Sequence, residues 1–209
     1  ESADTSTNVF ECLAGYISKY LYDPNSPVRN EDLYRPYAAA MAASEFVPEG
    51  LRQAYFYEDR MCALNCVGAP AADFTFTDRN GRKRSLYSVK AAFTLLFFTN
   101  PLCPSCREIT EEIMSDENVG DRIRSGNLSV VSVYIDRETD KWKELSSEYP
   151  EEWVCGYDQS YKIRRDMLYN IRAIPSLYLL DRDKKVIMKD APIEKVLGFL
   201  PALDIIENN

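Results

Sequence analysis

One stretch constrains the fold more than any other. The apolar run Phe93-Thr-Leu-Leu-Phe-Phe98 is followed closely by Cys103-Pro104-Ser105-Cys106, and then by a helix-like stretch from Arg107 to Met114. A continuous apolar run of this length reads as a strand buried on both faces, which requires helices on either side of a sheet. Two thiols at this spacing, at a strand-to-helix junction, form the core of a dithiol/disulfide redox site. A helix N-terminus offers unpaired N–H groups and the positive end of the helix dipole, both of which favour a thiolate. Cys103 is therefore expected to be the exposed, low-pKa nucleophile. Cys106, one turn in, is expected to be the buried resolving thiol.

Two other uses of the pair compete. A structural staple across so short a loop would remove only about 2 kcal/mol of chain entropy. A four-cysteine zinc site could recruit Cys62 and Cys66. The redox reading is preferred, with no metal. The absence of histidine excludes Ser-His-Asp and Cys-His catalysis and histidine metal sites. No glycine-rich phosphate loop is present. A formal net charge of -8 makes nucleic acid and anionic membranes poor partners. No apolar run approaches the roughly 18–20 residues of a membrane span. The chain opens at Glu1, and residues 1–8 are polar. A disordered start and a targeting segment already removed are the expectation.

Residues 1–66 read as a helical N-terminal segment. Val9, Leu13, Tyr16, Ile17, Tyr20 and Leu21 recur at helical spacing. Asp23-Pro24-Asn25-Ser26-Pro27 breaks that helix. Asn30 looks like the N-cap of a second helix reaching about Ser44, and Pro48-Glu49-Gly50 opens a third. The segment is expected to pack against the domain that follows. Residues 67–209 alternate strands and helices, which argues for an α/β domain. Asp73–Asp78 alternates with period two ahead of a turn at Asp78–Gly81. Leu128–Ile135 is a second central strand, followed by helices at 140–148 and 162–169. Ser176–Leu180 and Lys185–Met188 form an antiparallel pair, and 192–206 is a closing helix.

This order resembles the thioredoxin superfamily, and within it the TlpA/ResA-like envelope thioredoxins. The resemblance rests on Gly68-Ala-Pro-Ala-Ala-Asp-Phe74, on Leu95–Phe98 followed by the cysteine pair, and on Tyr169-Asn-Ile-Arg-Ala-Ile-Pro-Ser176 ahead of Leu177–Asp181. Tyr20–Pro27 with Arg29-Asn-Glu31 is similar to a helical segment attached to such proteins in the Bacteroides group. The resemblance implies a mixed sheet flanked by helices, with Pro175 in cis and lying against the dithiol. It implies that Ile174 presents its backbone to an extended substrate, with Pro104 and Ser105 also at the contact. It further implies protein or peptide disulfides as substrates, an upstream electron donor, no cofactor beyond the Cys103–Cys106 disulfide, and the periplasm or cell envelope. A lipid anchor upstream of Glu1 would fit the same setting.

Departures from that pattern matter. The tryptophan ahead of the first active-site cysteine is Leu102. The buried acid of the strand leading into the site is Phe97, and the glutamate three residues after the second cysteine is Ile109. The proton acceptor for Cys106 is thus unassigned, with Glu108, Glu111 and Glu112 nearby in sequence. Of the remaining thiols, Cys62 and Cys66 are placed on one helical face, with Cys12 either bridged to one of them or all three buried as thiols. Cys155 reads as a thiol in a strand or loop. Two rival functions remain: an interaction module without catalysis, and a peroxiredoxin-like peroxidase.

Overall fold

The computed structural model describes residues 5–203, and divides into two compact units after Leu64. The first holds α1 (Thr5–Leu21), α2 (Glu31–Ala43) and α3 (Glu49–Cys62). Helix α1 starts at Thr5, inside the stretch read as disordered; residues 1–4 lie outside the described residues. The Asn30 side chain caps α2 by accepting from the Leu33 amide at 3.0 Å. The buried side of α1 is Ala14, Ile17 and Leu21, while Val9, Leu13, Tyr16 and Tyr20 are exposed. Both sets follow helical spacing, so periodicity alone could not choose the inward face. Packing chose it. Tyr34, fully buried on α2, stacks on Tyr22 with ring centroids 4.5 Å apart and donates to Glu58 Oε2 at 2.6 Å.

The second unit is built on a seven-stranded mixed sheet of order β2-β1-β5-β4-β3-β6-β7. Its strands are β1 (Thr75–Asp78), β2 (Lys83–Ser85), β3 (Phe93–Thr99), β4 (Leu128–Tyr134), β5 (Val154–Tyr157), β6 (Ser176–Leu180) and β7 (Val186–Met188). Strands β3, β4 and β5 are mutually parallel neighbours; β6 returns antiparallel beside β3. Strand β3 is buried at every position, as a run feeding two cores requires. Its side chains alternate between them. Leu95 and Phe97 join Val130, Leu177 and Leu179 on one face. Leu96 and Phe98 join Val131, Val133 and Tyr178 on the other. Each such side chain contributes about 1.5–3 kcal/mol by leaving water.

The helices of this unit are α4 (Pro104–Ser115), α5 (Glu117–Arg124), α6 (Thr139–Leu145), α7 (Lys162–Arg165) and α8 (Ile193–Phe199). Residues of α4, α5, α6 and α8 line the first core and Ile163 of α7 lines the second, so the sheet is flanked on both faces. This is the thioredoxin-like arrangement that the resemblance implies. Three helices are shorter than the sequence suggests. Helix α6 passes into a 3-10 turn at Ser146–Glu148, α7 stops at Arg165, and α8 passes into a 3-10 turn at Leu200–Ala202. The far end of the closing helix lies outside the described residues. Helix α5 had no counterpart in the sequence reading. Asn65 belongs to this second unit. It donates to the Leu168 carbonyl at 2.8 Å and accepts from the Ala72 amide at 2.7 Å.

Candidate active site

The site is assembled where β3 ends and α4 begins. Pro104 opens α4 at a position that has no intrahelical amide to lose. Cys103 is the N-cap residue, in extended backbone conformation. Its carbonyl accepts the first helical bonds, from Cys106 N at 3.1 Å and Arg107 N at 3.2 Å. The approach to the helix is fixed by Asn100. Its side-chain oxygen accepts from Leu102 N at 2.9 Å, its amide donates to Asp136 Oδ2 at 2.9 Å, and its carbonyl accepts from Cys103 N at 3.0 Å. Asp136, just beyond β4, pairs in turn with Arg164 at 3.5 Å. Position 100 thus ties the cysteine loop to the next parallel strand.

Across from the helix terminus lies the loop between α7 and β6. The Ile174–Pro175 peptide bond is cis. The Cys103 thiol donates to the Ile174 carbonyl with a separation of 3.8 Å. The loop is held from behind by Asp190, whose carboxylate accepts from Arg172 Nη2 at 2.8 Å and from Ser176 Oγ at 2.7 Å. Both flanks of Ile174-Pro175 therefore converge on one buried carboxylate. The second core adds an aromatic base beneath, with Phe98, Tyr169 and Tyr178 in edge-on contact.

The two sulfurs differ sharply in environment. Cys103 is half-buried rather than exposed, because the Ile174 loop covers part of it. Pro104, Ser105 and Leu102 stand outward beside it, with Leu102 51% exposed. Cys106 is 1% exposed. Burial pushes its thiol from 9.0 up to about 12, opposed by the Thr99 hydroxyl and the Asn100 backbone N–H and reinforced by neighbouring Cys103. Cys12 is exposed, so the first three thiols are not all buried; Cys62 is buried and Cys66 half-buried. Helix α3 ends at Cys62, so Cys66 does not share a helical face with it. Cys155 lies in β5, buried. Among the described residues no group of three or more cysteine and carboxylate side chains could hold a metal ion.

No glutamate of α4 takes the place of the missing acid. Glu108 and Glu111 are exposed, and Glu112 is half-buried, with burial and the charges of Glu194 and Asp116 raising its pKa. Phe97 is fully buried and Ile109 packs on the same core. The polar groups near Cys106 are instead hydroxyls. Thr99 Oγ1 lies 3.2 Å from the Tyr149 hydroxyl, both residues buried. Sequence reasoning missed Thr99, Tyr149, Asn100, Asp190 and Arg172. Only Thr99 carried a sequence signal, as a polar residue ending an apolar strand beside the cysteines; the others are distant in sequence or unremarkable in type. A cavity of about 280 Å³ lies beside the helix, with Pro101, Arg107, Thr110, Glu111, Met114 and Tyr149 in its wall.

A family model described as the AhpC/TSA family matches residues 67–189. A solved thioredoxin-like protein from Bacteroides caccae is 38% identical and superposes with a TM-score of 0.89, over 94% of this chain and 71% of that one. Human nucleoredoxin is 27% identical over 117 residues, which are 55% of this chain and 26% of nucleoredoxin. The thiol-disulfide oxidoreductase ResA of Bacillus cereus is 23% identical over 132 residues, 63% of this chain and 70% of that protein. The chain thus spans about a quarter of the length of the nucleoredoxin it matches.

Proposed function

The chain belongs to the AhpC/TSA family, and from that premise we propose that it is a thiol–disulfide oxidoreductase acting on protein or peptide disulfides through Cys103 and Cys106. The observation that carries this reading is the pairing of a half-buried thiol on a helix N-cap, 3.8 Å from the Ile174 carbonyl, with a second thiol buried one turn behind it. Cys103 attacks a substrate disulfide and forms a mixed disulfide; Cys106 then attacks Cys103 and releases the reduced substrate. Ile174 offers its backbone to an extended substrate segment, and Pro104, Ser105 and exposed Leu102 form the adjoining contact surface. Pro175 keeps that backbone against the dithiol.

The setting that fits is the bacterial envelope, with net reduction of substrate and an external electron donor restoring the dithiol. No helix among the described residues is long and apolar enough to cross a membrane. The chemistry asks for no cofactor beyond the two sulfurs. A peroxidase would place a threonine hydroxyl on the attacking sulfur. Here the Thr99 hydroxyl is engaged with Tyr149, both residues buried, which favours disulfide exchange.

The test is insulin reduction by dithiothreitol, with the native protein and Cys103→Ser side by side. Acceleration lost in the variant supports the reading. Equal rates with and without the native protein would overturn it as a general disulfide reductase. Cys106→Ser is expected to accumulate the mixed disulfide, and consumption of hydrogen peroxide at a comparable rate would point to the peroxidase.

A further inference from the structure

Cys106 poses a chemical problem that the exchange mechanism leaves open. The sulfur is 1% exposed, and it must become a thiolate to attack the mixed disulfide. Related sites would set a carboxylate nearby, but Phe97 and Ile109 occupy those places, Glu108 and Glu111 of α4 are exposed, and no carboxylate is among the groups that shift the Cys106 thiol. Strand alternation answers with something else. Thr99 is the last residue of β3 and points to the same face as Leu95 and Phe97, where Cys106 and Tyr149 also lie. Its hydroxyl meets the Tyr149 hydroxyl at 3.2 Å, and it lowers the Cys106 thiol against the upward push of burial. Tyr149 is reached from the segment after α6, fifty residues along the chain.

We propose that Thr99 and Tyr149 are positioning residues that form a hydroxyl donor chain for the Cys106 thiolate, taking over in the resolving step the part that a buried carboxylate plays elsewhere. The proposal rests on the dithiol exchange set out above. While Cys106 is a thiol, either hydroxyl of the pair can donate to the other. Once the proton leaves, one direction is favoured: Tyr149 donates to Thr99, and Thr99 donates to sulfur. Both hydroxyls are suited to this. Threonine does not titrate, and burial pushes the Tyr149 hydroxyl up to about 12, so it stays protonated through neutral pH. A hydrogen bond to an anion in so dry a site is among the strong ones.

The step balances without an outside reagent. Attack of the Cys103 thiolate on the substrate disulfide breaks its S–S bond, forms the mixed disulfide and releases one substrate sulfur as thiolate. That thiolate takes the Cys106 proton. The Cys106 sulfur, held by Thr99, attacks Cys103 Sγ; the Cys103–Cys106 bond forms, the mixed bond breaks, and the second substrate sulfur departs as a thiolate that solvent protonates. The dithiol is oxidised by two electrons and the substrate disulfide reduced by two. The groups that shift the Cys106 thiol or face it are Cys103 on the same helix, Thr99 at the end of β3, the Asn100 backbone N–H just beyond it, and Tyr149 from across the core.

The experiment is single-turnover reaction of the reduced full chain with a disulfide peptide, with acid quenching to follow the mixed disulfide from pH 6.5 to 9. In Thr99→Val the mixed disulfide is expected to form at the native rate and to resolve roughly tenfold more slowly, the effect of losing one hydrogen bond to a charge. Thr99→Ser restores resolution to within about threefold, because it returns the hydroxyl. Tyr149→Phe slows resolution by a smaller factor and serves as the main test should Thr99→Val fail to fold by circular dichroism. Native resolution rates and pH dependence in folded Thr99→Val and Tyr149→Phe would overturn the proposal, leaving the exchange reading intact. Equal slowing of both half-reactions would also overturn it, since that marks a merely structural role. A native protein that forms no mixed disulfide would overturn the exchange reading, and the donor chain with it.

Discussion

Asp190 gives the sharpest test of how the fold holds the loop that carries Ile174 and Pro175. Its carboxylate accepts from Arg172 at 2.8 Å, with the two side chains only 7% and 11% exposed, and from fully buried Ser176 at 2.7 Å. Removing one partner of a buried ion pair costs about 3–5 kcal/mol, because the other charge stays buried. Asp190 also has φ of 42°, in the left-handed region. Asparagine tolerates that region and alanine does not, which adds about 1 kcal/mol to the alanine variant. Asp190→Ala is therefore expected to lose about 4–6 kcal/mol. Asp190→Asn keeps the backbone preference and an acceptor, and should lose about 2 kcal/mol. In a unit of this size, the alanine loss corresponds to a fall in melting temperature of roughly 10–20 °C. Urea denaturation of both variants, together with Arg172→Met and the double variant Arg172→Met/Asp190→Asn, measures the coupling. The double variant should lose less than the sum of the singles by about 2 kcal/mol or more. Additive losses, or an Asp190→Ala cost below about 1 kcal/mol, would refute the argument. Because Arg172 and Ser176 bracket Ile174-Pro175, exchange activity should fall in Asp190→Asn even where that variant is fully folded.

Three further outcomes follow from particular contacts. Gly156 lies where a Cβ would meet the Phe76 ring and sit 2.7 Å from the Thr77 carbonyl, so Gly156→Ala should cost about 2–3 kcal/mol in urea midpoint analysis; a neutral result would mean that β1 can move away. Asn65→Ala should lose about 2–3 kcal/mol, because it leaves the Leu168 carbonyl and the Ala72 amide unmet; Asn65→Gly, which suits the φ of 50°, should recover only part of that. The raised Cys106 thiol predicts a pH effect of definite sign. Folding holds a proton that the unfolded chain releases above 9.0, so this contribution to stability is complete below pH 9 and is lost as pH rises toward about 12. Between those limits the reduced native protein should lose up to about 1.4 kcal/mol per pH unit more than Cys106→Ser does. Parallel stability curves for the two proteins would refute the assignment.

The parts legible in the sequence were those encoded over short distances. Strand β3 reads directly as a continuous apolar run, because burial on both faces removes polar alternation. Asn30 announces α2, since a cap acts within three residues of itself. Helix α5 was hidden because Asp116 ends α4 and also caps α5, accepting from Val119 N at 3.0 Å. That single polar residue joining two elements looks like a linker. The inward side of α1 was hidden for another reason: two stripes on one helix satisfied the same period, and only the partners on α2 and α3 distinguish them.

The same division runs through the site. The sequence alone determined that Cys103 and Cys106 share one helix turn at the mouth of a central strand, that no histidine accompanies them, and that Phe97 and Ile109 stand where related sites carry acids. Those are facts of residue type and spacing. The tertiary structure decided what surrounds the sulfurs: that the Ile174 loop half covers Cys103, that Asp190 ties both sides of that loop, and that a threonine and a tyrosine fifty residues apart meet behind Cys106. Such pairings depend on strand order and helix placement rather than on neighbouring residues. Low exposure then turns hydroxyls that would be unimportant in water into the groups that govern a buried thiol.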